Sequence, residues 1–148
     1  MNESPELQIK TAWSTRRKSL TVAIVLVCTL FVATMVGLFS VLHSANKVLH
    51  SFGDALRQKQ YERAYSLTSK EFQASANFGD FRNVHDGLSR RMGELKNIEV
   101  TESEVKEREG GWYGTAEVNL NFSGGSLHFI FTLKKESGSW KIYDYHEE

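Results

Sequence analysis

The sequence predicts an α+β protein: an N-terminal transmembrane helix followed by about three helices packed on a four-stranded antiparallel sheet. Three observations carry this. Residues 20–42 run for 23 positions without a charge. Residues 46–92 repeat apolar side chains at three- and four-residue steps, the period of a helix face. After residue 97 the apolar residues alternate with polar ones, and pairs of glycines divide the runs. Helices first and strands afterwards point to α+β rather than to alternating βαβ units.

The apolar run, LTVAIVLVCTLFVATMVGLFSVL, covers roughly 34 Å as a helix, enough for the ~30 Å hydrocarbon core of a bilayer. It is longer than the apolar stretch of a signal peptide, and His43, Ser44 and Ala45 make a poor cleavage site. Residues 19–43 therefore read as an uncleaved signal-anchor helix that contacts lipid through residues 20–42. Arg16, Arg17 and Lys18 abut its N-terminal end, whereas Lys47 is the one basic residue between the run and Arg57. Positive residues stay cytoplasmic, so a disordered tail, residues 1–18, is expected inside the cell. Residues 46–148 are then an extracytoplasmic domain on a single-pass protein of the cell (inner) membrane.

Composition removes two function classes. Eighteen Lys and Arg balance eighteen Asp and Glu, so no bulk charge draws the chain to nucleic acid. The single cysteine, Cys28, forbids an intrachain disulfide.

Within the domain, Val48, Leu49, Phe52, Ala55 and Leu56 share one helical face. Tyr61, Ala64, Tyr65 and Thr68 mark a second, short helix, and Phe72 and Phe78 fall in a looser connection. A third helix is expected from an Asp80 N-cap, with Phe81, Val84, Leu88 and Met92 on its buried face and an end at Gly93. Ile98 and Val100 open the first strand, whose polar continuation reads as an exposed edge. Gly110-Gly111 turns the chain into Thr115–Phe122, and Gly124-Gly125 turns it into Ser126–Leu133. Trp140–His146 is the last strand. Leu127, Phe129, Phe131 and Leu133 alternate onto the core side.

The helical segment from Phe52–Leu56 through Gln60–Ser69, with Phe72 and Phe81, resembles the opening of many bacterial membrane-anchored domains of unknown function. The closing Trp140-Lys141-Ile142-Tyr143 is similar to their last strand. Over residues 46–147 the pattern resembles the nuclear-transport-factor-two-like, or cystatin-like, superfamily. That resemblance implies a cone of helices on a curved sheet. It implies no activity, because the matching positions are packing residues and the superfamily spans enzymes, transport factors and scaffolds.

No catalytic, cofactor-binding or metal-ligating residue is assigned, and no cofactor is expected. The histidines (43, 50, 85, 128 and 146) are scattered without ligand spacing. Enzymes of this superfamily place an Asp, His or Tyr inside the cone, which makes a pair from His85 and Asp144 conceivable. The simpler reading leaves His85, Asp86, Asp144 and His146 as solvated or capped surface groups. The outward sheet face is more informative. Alternation puts Ile130, Tyr143, Tyr145 and His128 there, with Thr132 and Lys141, and related cone folds commonly dimerise through this face. Either a contact with a protein partner or second copy, or ordinary cross-strand aromatic pairing, accounts for it. The expected function is a non-enzymatic binding or assembly module. Its rivals are a small-ligand carrier or cavity enzyme of the same fold, and a subunit or assembly factor of an envelope or respiratory complex.

Overall fold

The computed structural model describes residues 26–32, 34–35 and 42–148. The chain divides into two compact units, Met1–Ser40 and Val41–Glu148. In the first, residues 26–32 and 34–35 are helical, and among the described residues no helix is long and apolar enough to cross a membrane. The expected tail at 1–18 and most of the expected span at 20–42 lie outside the described residues.

The second unit is the α+β domain. Its first helix, α1 (residues 42–57), buries Ala45, Val48, Leu49, Phe52, Ala55 and Leu56, the stripe that the three- and four-residue spacing marks. Helix α2 spans Tyr61–Ser66 and buries Tyr61 and Ala64. Thr68, expected on that helix, lies beyond it, in a segment that runs parallel to the last strand. The connection that follows is not loose. Residues Lys70–Ser75 form a helix, α3, capped by Ser69, whose side chain accepts from the Phe72 amide at 3.0 Å. Helix α4, Phe78–Met92, starts earlier than expected, because Asn77 and not Asp80 is the cap: its Oδ1 accepts from the Asp80 amide at 3.0 Å. Gly93 ends α4 at φ 82°, a conformation that favours glycine.

The four strands, β1 (Leu95–Arg108), β2 (Gly111–Phe122), β3 (Gly125–Glu136) and β4 (Ser139–Glu147), form one antiparallel sheet in chain order. Ala116, Val118 and Leu120 of β2 and Phe129, Phe131 and Leu133 of β3 are buried, so the period-two reading chose the correct face. The core lies between this face and the helices. Gly53 permits the approach of α1: a Cβ there would fall 2.5 Å from Ile98 Cγ2. Trp140 Nε1 donates to Ser44 Oγ at 3.1 Å and fastens β4 to α1. The free edge of β4 is partly covered, since the Ser69 amide donates to the Ile142 carbonyl and the Ile142 amide to that of Leu67.

Strict alternation fails once in β4, and the failure matters. Leu133 pairs with Ile142, but the neighbouring β3 residue, Thr132, pairs with Asp144. Tyr143 is the extra residue of a β-bulge, which exchanges the two faces for the rest of β4. Tyr145 turns to the helix side opposite Phe131, while Asp144 and His146 are exposed.

Candidate functional site

The inward turn of Tyr145 builds a polar pair inside an aromatic interior. Its hydroxyl lies 2.9 Å from His85 Nε2. The Tyr145 ring stacks on Phe131 (centroids 5.1 Å apart, planes 16° apart) and on Phe72 (5.6 Å, 19°). His85 meets the Phe81 ring edge-on at 4.5 Å and Phe52 at 6.0 Å, and is 5 % exposed. These rings close round the imidazole, and the half-buried Tyr145 covers it on the side of β4.

His85 occupies this place because it stands four residues after Phe81 and three before Leu88, on the buried stripe of α4. Val84, expected on that stripe, is 55 % exposed. The reading of His85 as a surface group is therefore corrected, and so is its conceivable pairing with Asp144, which the bulge sends outward. The spacing 78–81–85–88 carries the signal; treating histidine as polar hides it.

Burial disfavours the charged imidazole and lowers its pKa from 6.5 to about 4, against a weaker opposing pull from the Asp86 carboxylate. Burial also pushes the Tyr145 phenol well above its ordinary value. Near pH 7 the site thus holds two neutral groups joined by one hydrogen bond, which the phenol donates in one imidazole tautomer and the ring N–H in the other. Such a pair orients α4 against β4. A general base, by contrast, requires a pKa near the working pH and reach to a substrate proton.

A second contact fixes α4 from its other flank. Tyr61 donates to Asp86 Oδ1 at 2.6 Å, and Arg82 lies 3.5 Å from the same carboxylate. Burial and then the hydrogen bond to Asp86 push the Tyr61 phenol up to about 12. The same bond leads the causes that hold the Asp86 carboxyl below its usual value.

The outward sheet face is arranged in cross-strand rows. One row is Lys106, Tyr113, Lys134 and Lys141; another is Glu102, Glu117, Ile130 and His146. Tyr113 and Tyr143 meet edge-on at 6.3 Å, and Lys134 lies over both rings while pairing with Glu71 of α3. Ile130 is half-buried and Tyr143 is 37 % exposed. His128 hydrogen-bonds Asn119 through Nδ1 at 2.9 Å and pairs through Nε2 with Glu148 at 3.2 Å. Of the expected contact residues, Ile130, Tyr143 and His128 thus share this face. Tyr145 does not, for the reason the bulge supplies. Among the described residues no group of three or more His, Cys, Asp or Glu is placed to hold a metal ion.

The architecture is shared with known structures. A protein of unknown function with a cystatin-like fold from Nostoc punctiforme superposes with a TM-score of 0.54 at 9% identity, over 71% of this chain and 87% of that one. Aln2 from a Streptomyces species does so at 0.54 and 10% identity, over 74% and 90% of the two chains. A Catenulispora acidiphila structure reaches 0.55 at 9% identity, over 74% and 91%. At these identities the likeness is one of fold: a cystatin-like domain of the nuclear-transport-factor-two type, as the helix-then-meander pattern implies. No curated protein matches the chain. The family model described as "Protein of unknown function (DUF3887)" matches residues 50–138, from α1 to the turn before β4, and the chain belongs to that family.

Proposed function

We propose that this chain is a single-pass membrane protein that displays its cystatin-like domain outside the cell membrane as a non-catalytic binding module, and that the outer sheet face pairs with a second copy. The observation that carries the reading is the division of labour between the two sheet faces. Inside, aromatic rings pack between helices and sheet, and the polar pair among them, His85 and Tyr145, satisfies itself. Outside, Tyr143 is exposed and meets Tyr113 and Lys134, and the half-buried Ile130 shares the face with them. Tyrosine is among the residues enriched in the contact surfaces of proteins. A two-fold partner fits the rows of opposite charge: a copy turned through 180° can bring Lys106, Lys134 and Lys141, each with a partner in its own chain, toward Glu102 and Glu117. The 23-residue uncharged run and Arg16–Lys18 support the anchor and its N-inside orientation.

Replacing Ile130 and Tyr143 together with Glu places two charges in that contact and touches no buried core position. The full chain in density-matched detergent is expected to sediment as a dimer at tens of micromolar. The double variant is expected to be monomeric, its dimer constant weakened at least about tenfold, with unchanged circular dichroism. Identical sedimentation of the two proteins would remove this face from the account.

A further inference from the structure

A second surface departs from the ordinary. Apart from Tyr143, the exposed large apolar side chain among the described residues of the domain is Val84, on α4. It borders a groove of about 510 Å³ between α4 and the ends of β3 and β4, lined by Val84, Gly87, Leu88 and Arg91 on one side and Phe129 and Tyr145 on the other. That volume lies within the ~300–1,000 Å³ of small-molecule sites.

Gly87 is the telling residue. It stands in the middle of a 15-residue helix, where glycine is a poor helix former. At Gly53 packing explains the missing side chain, but at Gly87 an added Cβ would meet nothing within 4 Å. The space that Gly87 leaves empty is the groove itself. At the rim, Arg91 Nη2 lies 4.0 Å from Glu147 Oε2, at the outer limit of an ion pair, with both side chains about half or more exposed. An exposed pair at that distance is readily exchanged.

We propose that this groove is the binding site of a small amphiphilic carboxylate. Its apolar body lies over Gly87 between Val84, Leu88, Phe129 and Tyr145, and its carboxylate takes the place of Glu147 on Arg91. The Glu147 carboxylate is the chain's own stand-in for that head group. A guanidinium donates two parallel hydrogen bonds to a carboxylate that meets it squarely, which Glu147 at 4.0 Å does not. This site is independent of the outer sheet face and deepens the reading of the domain as a binding module by naming a ligand chemistry.

The test uses naphthoate as probe and the neutral naphthylmethanol as control. Binding to the full chain in lipid nanodiscs is followed by saturation-transfer NMR, with empty nanodiscs subtracted. Naphthoate is expected to saturate the native chain. Gly87→Leu, which improves helix propensity and fills the groove, should keep or raise the melting temperature and abolish saturable binding. Arg91→Gln should weaken naphthoate about tenfold and leave naphthylmethanol unchanged. Glu147→Gln, which removes the competing carboxylate, should tighten naphthoate. Naphthoate that fails to saturate the native chain, or that binds Gly87→Leu as well as the native chain, overturns the proposal. Either result leaves the sheet-face dimer, read separately by sedimentation, as it stands.

Discussion

Phe131→Ala is expected to lower the unfolding free energy by about 3–5 kcal/mol, the cost of emptying a fully packed aromatic site. Phe131 is 1 % exposed and touches three rings: Tyr145 at 5.1 Å, Phe52 at 5.9 Å and Phe129 at 6.3 Å. It therefore joins α1, β3 and β4, and no neighbour can close the space without abandoning another contact. Against a total stability of ~5–15 kcal/mol the loss is large enough to unfold much of the domain near physiological temperature. Ile130, the adjacent residue on the same strand, faces outward, and Ile130→Ala should cost about 1 kcal/mol or less. Urea unfolding followed by Trp fluorescence compares the two. An Ile130→Ala loss exceeding that of Phe131→Ala would mean that the sheet faces are reversed.

The second large effect is a dependence on pH. His85 takes up a proton near pH 6.5 in the unfolded chain and near pH 4 in the folded one. The unfolded state thus binds more protons between those values. The stability due to His85 is complete above about pH 6.5 and is lost as the pH falls to 4, a change of about 3 kcal/mol. Glu71, whose carboxyl the Lys134 ammonium and other hydrogen bonds lower from 4.5 to about 2, loses its contribution between those two values and so leaves most of the histidine window clear. Urea midpoints between pH 7 and pH 4 should fall steeply for the native chain and clearly less for His85→Gln. Parallel slopes would place His85 in contact with water.

Most of the fold was legible because its period is simple. The α1 stripe and the alternation of β2 and β3 are buried as the spacing requires. A one-residue shift of either strand would bury Glu117 in place of Val118, or Thr132 in place of Phe131.

Two features escaped for identifiable reasons. Helix α3, KEFQAS, has six residues and no buried side chain, so it carries no amphipathic stripe; the Ser69 cap is its clearest local signal. The β4 bulge escaped because alternation was carried unbroken to the chain's end. Unbroken alternation would have aimed Asp144 and His146 at the core. The cost of burying a charge was the warning that the register changes before them, and one extra residue at Tyr143 replaces Asp144 by Tyr145. The candidate site followed the same fault. His85 and Tyr145 lie 60 residues apart, and it is the bulge that brings them together.

The central claim, that one face of the sheet packs on the helices and the other meets a second copy, is tested most directly by site-specific cross-linking. In the full chain with Cys28→Ser, single cysteines at positions 130 and 145 are treated in native membranes with a short bifunctional maleimide. Ile130→Cys is expected to give a covalent dimer and Tyr145→Cys to remain monomeric. A dimer through position 145, or none through position 130, would contradict the account.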